Sequence, residues 1–149
     1  LVTFLRRPTE QPPVRFYERL EPAVFVLRLV PGMRADIIPL LAPHYRALVL
    51  ESFGVGGLPG GEHGEMFAAL RRWCESGRLA VFTTQVPHEG CDLAVYEVGR
   101  AVGELPGVLE ARDMTPEAVA VKLMWALGQT EDREKAARLF ETPIEYDIM

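Results

Sequence analysis

Basic charge is scarce in this sequence: 16 Lys+Arg stand against 21 Asp+Glu, a formal net charge of −5. A chain of that sign carries no electrostatic footprint for nucleic acid. Cysteine is scarcer still. The two present, Cys74 and Cys91, are too few for a disulfide framework. Cys74 falls in a helix-like segment among apolar neighbours, and both read as free thiols of a reducing compartment. Three histidines, His44, His63 and His88, share no ligand spacing with one another or with the cysteines, so no metal site is expected. No run approaches the ~18–20 uncharged apolar residues of a membrane span, which argues against a membrane partner. No Gly-Lys-Ser/Thr step marks a phosphate loop, and no Ser–His–Asp or Cys–His arrangement is readable. The expectation is a chain without cofactor and without a nucleophile of its own.

What is present is the composition of an ordinary globular domain: 149 residues, 48% hydrophobic and 25% charged, enough for one sizeable core. The chain begins at Leu1 rather than Met and reads as a piece of a longer protein. Residues 1–22 carry Pro8, Pro12, Pro13 and Pro22 with Arg6 and Arg7, and read as a linker or interdomain segment. Residues 23–149 then form the domain. Four apolar runs predict strands, at residues 24–30, 47–50, 79–82 and 107–111. The first three are near-continuous rather than alternating, as strands buried on both faces should be.

Helical patterns lie between and after them, at residues 34–42, where Pro39 limits the length, and at 64–76, 96–104, 116–127 and 131–140. In the second, Met66, Phe67, Leu70, Trp73 and Cys74 recur at three- and four-residue spacing, and Gly77 suits its end. Thr115 and Pro116 suit the start of the fourth. Strands alternating with helices imply right-handed β–α–β crossovers. The expected fold is α/β: a small open parallel sheet of about four strands with helices on both faces, a flavodoxin- or Rossmann-like three-layer arrangement. The helix over 116–127 is apolar nearly all round, with only Glu117 and Lys122 charged. Such a helix is buried on two sides. One side faces the sheet; the other, around Met124 and Trp125, is covered by a second copy, by a missing part of the protein, or by residues 131–140.

In open parallel sheets, ligands bind beyond the carboxyl ends of the strands. Those ends carry Glu51, Ser52, Thr83, Thr84, Gln85, Asp113 and Thr115, placed either to meet a ligand or to cap helices and tie down loops. After the second strand comes Gly54-Val55-Gly56-Gly57-Leu58-Pro59-Gly60-Gly61. Pro59 stands where a dinucleotide fingerprint needs its third glycine, and the next helix starts too late to aim at a phosphate. The glycines are better suited to close approach by a neighbouring chain or ligand.

Several stretches together resemble the L-asparaginases. Val49-Leu50-Glu51-Ser52-Phe53-Gly54-Val55-Gly56-Gly57-Leu58-Pro59 is similar to a strand and loop of that family. Val81-Phe82-Thr83-Thr84-Gln85, Tyr96-Glu97-Val98-Gly99, Asp113-Met114-Thr115-Pro116-Glu117-Ala118 and Lys122-Leu123-Met124-Trp125-Ala126-Leu127-Gly128 follow in the family's order. Residues 24–140 resemble the smaller C-terminal domain of a bacterial cytoplasmic (type I) enzyme. The resemblance implies a larger N-terminal domain that holds the nucleophilic threonine and a Thr–Lys–Asp set, and that converts L-asparagine and water to L-aspartate and ammonia through an acyl-enzyme. That catalytic domain is absent from this chain, so no catalytic residue is assigned. The resemblance also implies a homo-oligomer, dimer or tetramer, in which this domain completes the neighbouring subunit's site through the Ser52, Gly54, Gly56 and Gly57 loop, with Met124 and Trp125 on the interface helix. The family often has Asn after Gly-x-Gly, where Gly57 stands here. Some type I enzymes bind regulatory asparagine through an Arg and a Cys, at positions matched here by Glu51 and Val86, and a carboxylate at the first of these repels such a ligand. The asparaginase-like subunit of a tRNA-dependent amidotransferase, and a non-catalytic amino-acid-binding or dimerisation module, are the alternative readings.

Overall fold

A computed structural model describes residues 13–60, 64–86, 88–145, 147 and 148. Arg6, Arg7, Pro8, Pro12, Gly61, His63, Tyr146 and Met149, named above or belonging to segments named above, lie outside the described residues. The elements, in chain order, are β1 (Val24–Arg28), α1 (Ile37–Leu41), β2 (Ala47–Ser52), α2 (Glu65–Glu75), β3 (Leu79–Thr84), α3 (Glu97–Gly103), β4 (Val108–Glu110), α4 (Pro116–Gln129) and α5 (Arg133–Glu141). Helix α1 is only five residues long. Pro39 cannot donate into a helix interior and is tolerated only in the first turn, so the helix starts at Ile37 rather than at 34. Thr115 caps α4, its Oγ1 accepting from Ala118 N at 3.3 Å, and Asp132 caps α5 in the same way at 3.0 Å from Lys135 N.

The four strands form one parallel sheet in the order β1-β2-β3-β4. Val24 pairs with Ala47, Ala47 with Leu79 and Ala80 with Val108. Because every step runs in one direction and crossovers are right-handed, α1, α2 and α3 fall on one face. After β4 the chain returns across the other face, where α4 packs against β1, β2 and β3 and α5 packs against α4. The sheet thus has helices on both faces, as expected, without a reversal of strand order inside it.

Strand periodicity divides the interior in two. Leu27, Leu48, Leu50, Ala80 and Phe82 meet Ile38, Leu70, Trp73 and Val102 on the first face. Val24, Ala47, Val49, Leu79, Val81 and Leu109 meet Val119, Leu123, Ala126 and Phe140 on the second. Since both side-chain sets are covered, β2 and β3 need apolar residues at successive positions, which is why their sequences do not alternate.

The inner stripe of α4 is buried at Val119, Leu123, Ala126 and Leu127. Lys122 is buried beside it: its Nζ donates to Thr142 O at 2.9 Å and pairs with Asp147 Oδ2 at 2.8 Å. The outer side is covered in part within the chain, by the segment that precedes β1. Tyr17 sets its ring edge-on to Trp125 with centroids 5.2 Å apart, and Glu21 N donates to Met124 O at 2.9 Å. Met124 and Trp125 are half-buried, whereas Val121 stays exposed. No helix among the described residues is long and apolar enough to cross a membrane.

Candidate functional site

Two adjoining structures occupy the carboxyl ends of the strands. The first is a groove of about 390 Å³ lined by the end of β1 (Arg28), the end of β2 (Glu51), the turn after β3 (Thr84, Gln85, Val86, Glu89) and the entry to α4 (residues 113–117). The second is the glycine-containing loop after β2, which folds back on itself.

The groove is framed by hydrogen bonds that cross the sheet. Gln85 Nε2 donates to Leu29 O at 2.7 Å and to Glu51 O at 2.8 Å, fastening the ends of β1 and β2 to β3. Thr84 Oγ1 donates to Gly54 O and accepts from Val86 N at 3.0 Å. Ser52 is fully buried, and its Oγ donates to Thr83 O at 2.8 Å. That hydroxyl therefore braces the strands and does not face the groove. Thr83 Oγ1 is buried with no hydrogen-bond partner among the described residues, a local cost at the rim.

Glu51 and Val86, distant in sequence, come together in this groove. Arg28 Nη1 lies 3.7 Å from Glu51 Oε2. Around that guanidinium the lining sets the carboxyl groups of Glu51, Glu89 and Glu117. The field is negative, and a ligand carboxylate is disfavoured there. Sequence reasoning did not place Arg28, Glu89 or Glu117 at this rim. The signal for Arg28 is its register opposite Glu51, which becomes readable only once the strands are aligned.

In the second structure, Phe53 and Gly57 form an isolated antiparallel bridge: Phe53 N donates to Gly57 O, and Gly56 N and Gly57 N both donate to Phe53 O. The amides of Phe53, Gly56 and Gly57 are thus already engaged within the loop and are not presented to a phosphate. A Cβ at Gly57 would stand 3.3 Å from Phe53 O, so a side chain at this position would need the turn to give by a few tenths of an ångström. Gly54 has φ +49, and Tyr96 lies over it. The loop is clamped from the far side, where Asp92 N donates to Val55 O at 2.9 Å and Cys91 N to Arg112 O at 2.7 Å. Gly54, Gly56 and Gly57 therefore sit beside the groove without lining it.

Both cysteines are free and buried. Burial pushes the Cys74 thiol up to about 11 and the Cys91 thiol up to about 12, so neither is a thiolate near neutral pH. Among the described residues no group of three His, Cys, Asp or Glu side chains could hold a metal ion. At the opposite pole, a cavity of about 360 Å³ is lined by Arg46, Arg78 and Arg133 among others. Its guanidiniums serve the fold: Arg78 Nη2 donates to Ala42 O at the end of α1, and Arg133 Nη1 to Cys74 O at the end of α2.

The chain matches the family described as the Glutaminase/Asparaginase C-terminal domain over residues 23–140. It is 38% identical over 133 residues to the L-asparaginase of Thermococcus kodakarensis, covering 89% of this chain and 40% of that protein. It is 35% identical over 130 residues to a glutamyl-tRNA(Gln) amidotransferase subunit of Metallosphaera sedula, covering 87% of this chain and 28% of that one. Among solved structures, the thermostable L-asparaginase from Thermococcus kodakarensis superposes with a TM-score of 0.80 at 36% identity, over 94% of this chain and 43% of that chain. L-asparaginase I from Vibrio cholerae gives a TM-score of 0.79 at 28% identity, over 94% of this chain and 42% of that chain. The chain spans less than half the length of these relatives, and the agreement in sequence and fold is that of common descent: it belongs to the glutaminase/asparaginase C-terminal domain family.

Proposed function

We propose that this chain is the C-terminal domain of an amidohydrolase that converts L-asparagine to L-aspartate and ammonia, and that its task is assembly and completion of a catalytic site whose nucleophile lies in a larger N-terminal domain. The observation that carries the reading is the extended match to an L-asparaginase, 38% identity over 133 residues, on a chain whose two thiols are both held protonated by burial. The parent enzyme works in the cytoplasm as a homo-oligomer, and the 53–57 loop is the part of this domain that approaches a neighbouring site. Its internal hydrogen bonds keep it rigid enough to do so without loss of freedom on contact. The acidic groove, with Glu51 and Val86 where regulated enzymes have Arg and Cys, does not serve a regulatory asparagine.

A second reading is favoured by the relatives: glutamyl-tRNA(Gln) amidotransferase subunits match at 35% and 33% identity. In that case the same domain supports ammonia release for amide transfer to a charged tRNA. The test is ammonia release from free asparagine. The isolated 149-residue chain should release none above the buffer rate, since acyl-enzyme chemistry needs a nucleophile. Joined to an N-terminal domain bearing the threonine motifs, it should do so without any tRNA. Heat-sensitive release by the isolated chain overturns the proposal, and release that requires tRNA and a partner subunit selects the second reading.

A further inference from the structure

Gly128 lies in the last turn of α4, where the proposed function gives it no task. A Cβ at that position would stand 2.6 Å from Arg19 O, 2.9 Å from Arg19 C and 3.0 Å from Leu20 Cα. The obstacle is backbone, which has no rotamer by which to yield. Only glycine lets the entering chain lie this close to the helix.

The contacts on either side of Gly128 hold the same segment. Gln129 Nε2 donates to Arg19 O at 2.9 Å, Glu21 N donates to Met124 O at 2.9 Å, and the ring of Tyr17 stands edge-on to Trp125. Glu21 closes the dock: its Oε1 accepts from Ala23 N at 3.0 Å and its Oε2 from Arg46 Nη1 at 2.9 Å. Toward the chain start the burial fades, and Phe16 is 88% exposed. We infer that residues 17–21 are a strap keyed to Gly128, which fastens whatever polypeptide precedes it to α4 and opens as a unit separate from the domain core. The strap hydrogen-bonds at discrete points while its own side chains remain largely exposed, which is the profile of a segment that opens below the global stability. Its other consequence is geometric. The strap sits at the carboxyl end of α4, and Pro116 and Glu117 at the amino end line the groove, so one rigid helix of 14 residues sets the distance between the two. The strap works in this way whichever relative's activity the parent has.

The test is Gly128→Ala in the full 149-residue chain, read by amide exchange and by trypsin. Alanine is the better helix former, which offsets most of what the loosened strap loses, so the melting temperature should change little. The Glu21 amide should nonetheless exchange about tenfold faster or more, and cleavage after Arg19 should accelerate alongside it, with cleavage after Arg15 unchanged. Tyr17→Ala, which leaves the helix untouched, should shift both readouts in the same direction by less. Unchanged exchange and cleavage in Gly128→Ala overturn the keying. A Glu21 amide unprotected in the starting protein overturns the dock. Uniform acceleration at the β2 and β3 amides overturns the separability of the strap from the core.

Discussion

Glu21 and Glu110 answer acid in opposite senses, because one carboxylate is hydrogen-bonded and the other desolvated. The Ala23 amide, then Arg46, hold Glu21 below the usual carboxylate range against a smaller effect of burial. Its ionised form favours the fold, so the contribution is complete above the ordinary glutamate value and fades as pH falls through the lowered one. Burial raises Glu110, with Asp92 adding to the rise, against the Leu93 amide and Arg112. Here the protonated form favours the fold, and the contribution is complete in acid and lost as pH rises through the raised value. Glu21→Gln should lower the urea midpoint near neutrality and flatten its fall in acid. Glu110→Gln should raise the neutral midpoint, since the amide oxygen can still accept from Leu93 without carrying charge into the interior. Midpoints over about pH 3 to 8 decide this, and two variants with the same profile would refute the assignment.

Helix α3 shows how close packing reverses a propensity rule. In an exposed helix Gly→Ala stabilises by about 1 kcal/mol. At Gly99 the new Cβ would stand 2.5 Å from Leu93 O and 3.1 Å from Leu93 C, a conflict with backbone of the kind that costs about 1–3 kcal/mol. Gly99→Ala should therefore destabilise, and through Leu93 it should loosen the neighbouring Asp92–Val55 clamp. A urea midpoint at or above that of the parent chain would contradict the packing argument. At this scale the strands and helices were legible because Val, Leu and Phe runs and three-to-four spacing report burial directly. The inner stripe of α4 was readable from angular spacing alone. Its outer cover was not: a proline-rich entry reads as linker, and nothing in Tyr17 or Arg19 announces that Gly128 is shaped to receive them. Lys122 was opaque for a related reason, since its partner Asp147 comes from beyond α5. At the rim, strand-end polarity located Glu51, Thr84 and Gln85, but the inward hydroxyl of Ser52 follows from cross-sheet geometry that spacing does not encode.

At the scale of the molecule, the surface left uncovered favours self-association. Val14, Phe16 and Leu20 are 79, 88 and 61% exposed along the entering segment, and burying a large apolar side chain is worth about 1.5–3 kcal/mol. The isolated chain should sediment as a dimer or larger, and Phe16→Glu should shift it toward monomer at an unchanged melting temperature; a monomeric parent chain removes this route to assembly. The sequential strand order has a different consequence, for synthesis. Strands β1 to β4 can join in the order in which the ribosome delivers them, each crossover laying its helix on the same side. The opposite side waits. Val24, Ala47, Val49, Leu79 and Val81 have no cover until α4 and α5 emerge. Folding of this domain therefore includes one late burial event, and a nascent chain halted at Asp113 presents a whole apolar sheet face to its neighbours, a species open to aggregation rather than a partly finished domain.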